Sequence, residues 1–342
     1  MWKAASGRNE VTVKKELFGK TKEGREVFQF TLQNERGVAA GILNYGGTIR
    51  QILTPDRTGQ ISDIVLGYDT VTEYEENDGY FGAAVGRVAN RIKGAAFELN
   101  GESYTLTANE GSNMLHGGSG FHTKIWDDEM RDDALVLKYT SPDGEDGFPG
   151  NLRVEQIITL SEENVLRIEY HAFCDKDTLC SLTGHSYFNL SGGFTGTVAA
   201  HQMQIAANEY TPVGEDLIPT GEVLPVAGTA YDFLSARAVG TAPLDVNLVL
   251  SKAFRKWDVR VLDPSTGRFL SERTSLPGLQ VYNGTGITER KGKGGALYGL
   301  QSGLALEPQF YPDAIHHPEF PQPILKAGEE YSHFIEYQFG VV

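Results

Sequence analysis

The sequence predicts an all-β protein: one large antiparallel β-sandwich with few short helices, read as a single domain over residues 1–342. Three observations carry this. Glycine is in excess, 40 of 342 residues against a usual ~7 %, and aromatic residues reach 10 %. Many glycines with many aromatics suit short strands joined by tight turns. Period-two alternation recurs along the whole chain, while helical signals are few. Length alone would suggest two domains at about 150 residues each, but all-β folds run longer as one unit. A hydrophobic fraction of 40 % is enough for a sizeable core.

The elements follow in order. Runs near 11–18, 27–32 and 37–43 predict the first strands. Thr70-x-x-Glu73 is a capping box that opens a short helix through Glu76. Asn100-Gly101 punctuates a run at 96–106, and Asp143-Gly144 follows one at 134–140. In 165–172, Leu166, Ile168, Tyr170 and Ala172 alternate with Val165, Arg167, Glu169 and His171. That is a half-buried strand, joined to the run 154–160 by Ser161-Glu162-Glu163-Asn164 as a hairpin. More strands are expected near 179–190, 201–206, 258–263, 278–283, 302–307 and 331–339, and a second short helical turn near 233–239. No heptads, repeats or low-complexity linkers interrupt this pattern.

Charge and motifs exclude several classes. With 30 Lys plus Arg and 45 Asp plus Glu, the net charge is −15, which repels nucleic acid and anionic membranes. The stretch Arg290-Lys291-Gly292-Lys293 is read as a solvated turn. Two cysteines, Cys174 and Cys180, make neither a disulfide scaffold nor a Cys-x-x-Cys pair. Met1 to Arg8 contains no apolar signal core, and no run of 18 apolar residues exists, so a soluble, cytoplasmic protein is expected. Asn189-Leu190-Ser191 and Asn283-Gly284-Thr285 are then chance matches to the glycosylation pattern. Phosphate-loop, His-Glu-x-x-His and Gly-x-Ser-x-Gly signatures are absent. His316 and His317 would point opposite ways on an extended chain, so no metal site is expected there. No oligomeric interface can be read.

Polar faces on strands carry the functional signal. In 181–190 one face holds Leu182, Gly184, Ser186, Phe188 and Leu190, and the other Ser181, Thr183, His185, Tyr187 and Asn189. The second face suits either solvent or a sugar, whose hydroxyls need donors and acceptors and whose C–H face needs an aromatic body. In 302–308, Glu307 shares a face with Gly303 and Ala305, opposite Leu304 and Leu306. Gln280 and Tyr282 form a third such face. Leu115-His116-Gly117-Gly118 sets a histidine before a flexible pair. Arg87 and Arg91 flank Asn90 in Gly86-Arg87-Val88-Ala89-Asn90-Arg91-Ile92, and singly each suits a surface or an ion pair.

Together these segments resemble the aldose 1-epimerase (galactose mutarotase) family. The resemblance runs, in order, through Asn44-Tyr45-Gly46-Gly47, the 86–92 and 115–118 segments with Gly120-Phe121 and Trp126, and His185-Ser186-Tyr187-Phe188-Asn189-Leu190. It continues through Leu217-Ile218-Pro219-Thr220-Gly221, Gln280-Val281-Tyr282, and Leu306-Glu307-Pro308-Gln309 with Pro312-Asp313-Ala314. It covers about residues 25 to 339. The resemblance implies a sugar cleft across one sheet of a galactose mutarotase-like sandwich, and interconversion of the α and β anomers of free hexoses such as galactose or glucose. It implies no cofactor, no metal and no hydrolysis. Matched residue by residue, it makes His185 the general acid and Glu307 the general base. His116 bonds the sugar near the reacting centre, and Asn90, Arg91, Asp245 and Gln280 hold hydroxyls. Tyr187 and Trp126 either support these residues from behind or belong to the core. One departure is visible: the family often has Asp-His-Asn where this chain has Asp245-Val246-Asn247.

Ring opening needs a base at the anomeric hydroxyl and an acid at the ring oxygen, both poised near neutral pH. Histidine qualifies at about 6.5, whereas a glutamate near 4.3 must be raised by burial, which Gly303 and Ala305 would permit. Gly117, Gly118, Gly184 and Gly303 adjoin these side chains and are expected to make room for the ligand. Three rival readings have distinct requirements. A non-catalytic sugar-binding module would dispense with Glu307 or His185. A glycoside hydrolase would need two opposed carboxylates. A hexose-6-phosphate 1-epimerase would need a cationic pocket, for which Arg87 with Arg91 is the visible candidate.

Overall fold

The computed structural model describes residues 11–76, 79–194, 196–251 and 256–342. The opening segment Met1 to Arg8 lies outside these residues. Strands and isolated bridges account for 47 % of the described residues and helical turns for 7 %. Every ladder between named strands is antiparallel, as in the nine-stranded sheet's hairpin pairing of Leu152–Leu160 with Val165–Cys174. That hairpin closes with Leu160 opposite Leu166, and Ser161 N–H donates to Val165 O.

Two sheets form the sandwich, and both are assembled largely from strands distant in sequence. The nine-stranded sheet runs from Asp127–Arg131 at one edge, through Val165–Cys174 and Glu330–Val341, to Gln202–Ile205 and Arg237–Ala238. The six-stranded sheet is ordered Tyr187–Phe188, Leu304–Gln309, Gly278–Tyr282, Asp245–Leu250, Ala207–Thr211, Leu224–Pro225. A five-stranded meander, from Thr12–Lys20 to Ile61–Asp63, precedes them. Alternation sorts the six-stranded sheet's faces. Val246, Leu248, Leu279, Val281, Leu304 and Leu306 join Ile168, Tyr170, Val261, Ile335 and Tyr337 in one buried apolar cluster. The intervening residues Asp245, Asn247, Gln280, Tyr282, Ala305 and Glu307 therefore share the opposite face.

The capping box forms as expected at the helix Val71–Glu76. Glu73 N–H donates to Thr70 Oγ1 at 3.2 Å, and Thr70 N–H to Glu73 Oε2 at 2.9 Å. Asn100-Gly101 turns the hairpin of Ala96–Leu99 and Glu102–Thr105. Several expectations are corrected. Residues 233–239 form no helical turn: Arg237–Ala238 pairs with Gln202–Ile205 instead, and Val239 N–H donates to His201 O. The 181–190 segment is not one strand; only Thr183–Gly184 and Tyr187–Phe188 pair regularly, and both faces are buried. Lys293 is not solvated but 5 % exposed, because its Nζ donates to Arg50 O and Asp63 Oδ2, each at 2.6 Å. His316 and His317 do not point apart. Ala314–His316 is a 3-10 turn, so both imidazoles reach the Asp313 carboxylate, at 2.6 and 3.5 Å. No helix among the described residues is long and apolar enough to cross a membrane.

Candidate active site

The polar face of the six-stranded sheet presents two adjacent rows set by register. In one, Thr211, Asn247, Gln280 and Glu307 stand opposite one another across four strands. In the next, Asp245, Tyr282, Ala305 and Tyr187 do the same. Tyr80, Asn90 and His116 in loops, with Arg91 and Leu115 paired in a short two-stranded ladder, cover this face and border a cavity of about 230 Å³. That is below the ~300–1,000 Å³ of sites for drug-sized ligands and suits one small polar molecule. Glu307, His185, His116, Asn90, Arg91, Asp245 and Gln280 all line it, with Tyr187. Trp126 does not. It is a core residue, 1 % exposed, with Nε1 donating to Phe121 O.

Glu307 and His185 form the buried centre. They are 2 % and 4 % exposed, and His185 Nε2 lies 3.4 Å from Glu307 Oε2. Among the described residues, neither Glu307 Oε2 nor His185 Nδ1 has a hydrogen-bond partner. The His185 ring lies between Tyr187 and Tyr80, with centroids 4.9 and 5.8 Å away and planes within 25° and 17°. This burial lowers the His185 imidazole to about 4, while burial followed by the charge of Asp245 raises the Glu307 carboxyl to about 8. Both shifts favour the uncharged form of each group, so near neutral pH the pair holds one proton, on the carboxyl.

The remaining groups are fixed as donors and acceptors. His116 Nδ1 accepts the Asn90 N–H at 3.1 Å, so the neutral ring carries its proton on Nε2 and donates from there. Burial, then the neighbouring His185 and Arg91, lower this imidazole well below its ordinary value. His116, His185 and Glu307 bring three ligand-type atoms within 4.8 Å of one another. The set nonetheless fits a metal poorly, because the lone pair of His116 is already used and its other nitrogen bears hydrogen. Glu110 grips Arg91 through Nε and Nη2 at 2.6 and 2.8 Å, leaving Nη1 without a protein partner among the described residues. Asn90 takes φ +65° and accepts the Arg91 N–H on Oδ1. Gln280 Nε2 donates to Asp245 Oδ1 at 2.5 Å, and burial raises the Asp245 carboxyl from its usual range.

Other sequence expectations change here. Arg87 is neither a surface residue nor half of a phosphate pocket. It is 2 % exposed, and its guanidinium donates to Ser141 Oγ and to the carbonyls of Ser141, Pro142, Pro149 and Gly150. The glycines beside the site make room for protein, not ligand. A Cβ on Gly117 would stand 2.1 Å from Gly86 O, and one on Gly303 2.8 Å from Tyr187 Cβ. One on Gly118 would meet Asp146 at 2.6 Å, and Gly184 looks toward the core Tyr170. Val246, at the position of the family's usual histidine, is in the apolar cluster, on the face away from the cleft. Tyr80 was not anticipated. An aromatic among Asn77, Asp78 and Gly79 is the one local signal, and its contacts with His116, His122 and His185 are all long-range.

Comparison with known proteins establishes the family. The family model described as Aldose 1-epimerase matches residues 29–338. The galactose mutarotase of Mus musculus is 39 % identical over 342 residues, covering 97 % of this chain and 99 % of that protein. The aldose 1-epimerase of Escherichia coli is 36 % identical, covering 93 % and 96 %. A solved aldose epimerase homologue from C. elegans superposes with a TM-score of 0.86 at 33 % identity, covering 90 % of this chain and 97 % of that one. The chain belongs to the aldose 1-epimerase family and is an isomerase that interconverts the anomers of a sugar.

Proposed function

We propose that Glu307 and His185 are the base and acid of this anomer interconversion, acting on a free, uncharged hexose such as galactose or glucose. The observation that carries the reading is the buried pair itself, 3.4 Å apart and holding one proton between two uncharged groups. As the anomeric hydroxyl engages Glu307, the shared proton passes to His185. Glu307 removes the O1 proton, C1–O1 becomes a carbonyl, the C1–O5 bond breaks, and O5 takes the proton from His185. Rotation about C1–C2 presents the other carbonyl face. O5 then attacks C1 and returns its proton to His185, while O1 recovers its proton from Glu307. The cycle ends with one proton on the pair, as it began. His116 Nε2–H donates near the reacting centre. Asn90, Arg91, Asp245 and Gln280 hold the ring's hydroxyls, with Tyr187 bracing His185.

Relatives named for galactose support a hexose substrate. An uncharged one is supported by the lining: Arg91, its one cation, is already engaged by Glu110, and the carboxyl groups Asp245 and Glu307 stand beside it. Arg87 offers a phosphorylated sugar nothing, since its guanidinium is held by backbone carbonyls away from the cleft. A cytoplasmic location fits the two buried cysteines, which remain free thiols. One continuous domain fits an apolar cluster that runs from Phe30 to Phe339.

Polarimetry on fresh α-galactose tests the assignment. Glu307→Gln and His185→Asn should each lose about 10²–10⁴-fold in rate, the usual contribution of a positioned acid or base. Full activity in either variant would refute it.

A further inference from the structure

We propose that Gln309 and Asn247, neither of which lines the cleft, form a positioning relay that fixes which end of the Gln280 amide faces the sugar. The inference rests on the reading that Gln280 and Asp245 hold sugar hydroxyls. The relay runs across the six-stranded sheet behind the cavity. Thr211 Oγ1 accepts Asn247 Nδ2 at 3.2 Å, which leaves Asn247 Oδ1 to accept Gln309 Nε2 at 3.2 Å. Gln309 Nε2 also donates to Gln280 Oε1 at 3.3 Å, and Gln280 Nε2 donates to Asp245 Oδ1 at 2.5 Å. Thr211, Asn247 and Gln309 are 1 %, 2 % and 0 % exposed, so water does not compete for these bonds.

An ionised Asp245 carboxylate can only accept, and that anchor sets the direction of every bond in this chain. An amide side chain can turn over, exchanging its donor and acceptor ends. At Gln280 the oxygen is held by Gln309, and one N–H is held by Asp245. What remains for a ligand is the second N–H, with the second lone pair of the oxygen. The cleft therefore offers a fixed donor, Gln280, beside a fixed acceptor, Asp245. That pairing reads hydroxyl groups, each of which gives and receives a hydrogen bond. Only a primary amide at 309 supplies two N–H donors to two separate oxygens without adding charge. The backbone is shaped to allow this. Gly278, paired with Gln309, would place a Cβ 2.6 Å from Asn247 Oδ1.

Steady-state polarimetry on α-galactose with a double-mutant cycle tests the relay. Gln309→Met keeps the length and removes both donors. Its KM should rise about tenfold, the size of one lost hydrogen bond, while kcat stays within about twofold because Glu307 and His185 are untouched. Gln280→Met should raise KM similarly, and the double variant should lose no more than Gln280→Met alone, since Gln309 acts only through Gln280. Gly278→Ala displaces Asn247 without touching the cleft and should also raise KM; it decides the matter should Gln309→Met not fold, as judged by its melting transition. Additive losses, a fall in kcat at constant KM, or an unchanged KM in the variants at 309 and 278 would overturn the relay. An unchanged KM in Gln280→Met would instead overturn the site reading on which it rests.

Discussion

Glu307→Gln should make the enzyme inactive and, at the same time, remove most of a pH-dependent cost in stability. The carboxyl is 2 % exposed and raised from 4.5 to about 8, by burial first, then by Asp245, against the opposing charge of Arg91. A folded-state value above the unfolded one means that the folded chain binds the proton more tightly. The stabilisation is complete below the unfolded value and is lost as pH rises toward about 8. Each pH unit inside that window costs about 1.4 kcal/mol, so wild-type stability falls by about 2–3 kcal/mol between pH 5 and pH 7 through this group alone. Glutamine cannot titrate. Its extra N–H, buried without a partner, shifts the whole curve by an amount that does not depend on pH. The slope is therefore the readout. Urea unfolding at pH 5, 6, 7 and 8 should show the stability difference, variant minus wild type, rising by about 2–3 kcal/mol from pH 5 to 7 and levelling near pH 8. Parallel curves would refute the argument that burial holds this carboxyl protonated, whatever the activity of the variant.

Other perturbations have equally definite outcomes. The turnover rate should be bell-shaped in pH, because in the proposed mechanism the pair works with one proton: it gains a second below about 4 and loses its last above about 8. A rate still rising above pH 9 would contradict this. His116→Asn should raise KM and lower kcat together, as the role proposed for its Nε2–H requires; unchanged values for both would remove that role. Arg87→Met leaves up to five buried acceptors without their donor, and should destabilise the fold by about 3 kcal/mol or more in denaturant titrations. A variant as stable as the wild type would show that these bonds contribute nothing net.

What could be read in the sequence was local. Alternation in 165–172 correctly separates Leu166, Ile168 and Tyr170 from Arg167 and Glu169, because a strand's faces follow from parity. The Thr70 and Glu73 box and the Asn100-Gly101 turn needed only neighbours within a few residues. Parity likewise put Glu307 opposite Leu304 and Leu306. Long-range partnership was hidden. Lys293 looked solvated because Asp63, its partner, lies 230 positions away, and Arg87 looked like a surface residue because its acceptors are backbone carbonyls, which every sequence has. Gly303 beside a carboxylate suggested space for a ligand; the space is filled by Tyr187, which comes from a different strand. Thr48–Pro55, Asp245–Leu250 and Arg268–Thr274 were missed as strands, although pairing on both sides holds each of them in place.

The same burial that costs stability suits the pair to the acid–base role proposed for it. Exposed, Glu307 would be ionised and His185 partly charged at neutral pH, an arrangement of two independent groups in water. Behind Tyr80 and Tyr187, each charged form is disfavoured, and the two groups, 3.4 Å apart, together hold one proton, on the carboxyl. Mutarotation requires that count, since one group must accept a proton while the other gives one, in both directions. An active site that ran the reaction with equal ease from either anomer could not place a permanent acid on one side and a permanent base on the other. The sheet meets this demand by register: Glu307 stands in the row of Gln280 and Asn247, with apolar residues filling the opposite face, so the carboxylate is both buried and held at the edge of a polar cavity.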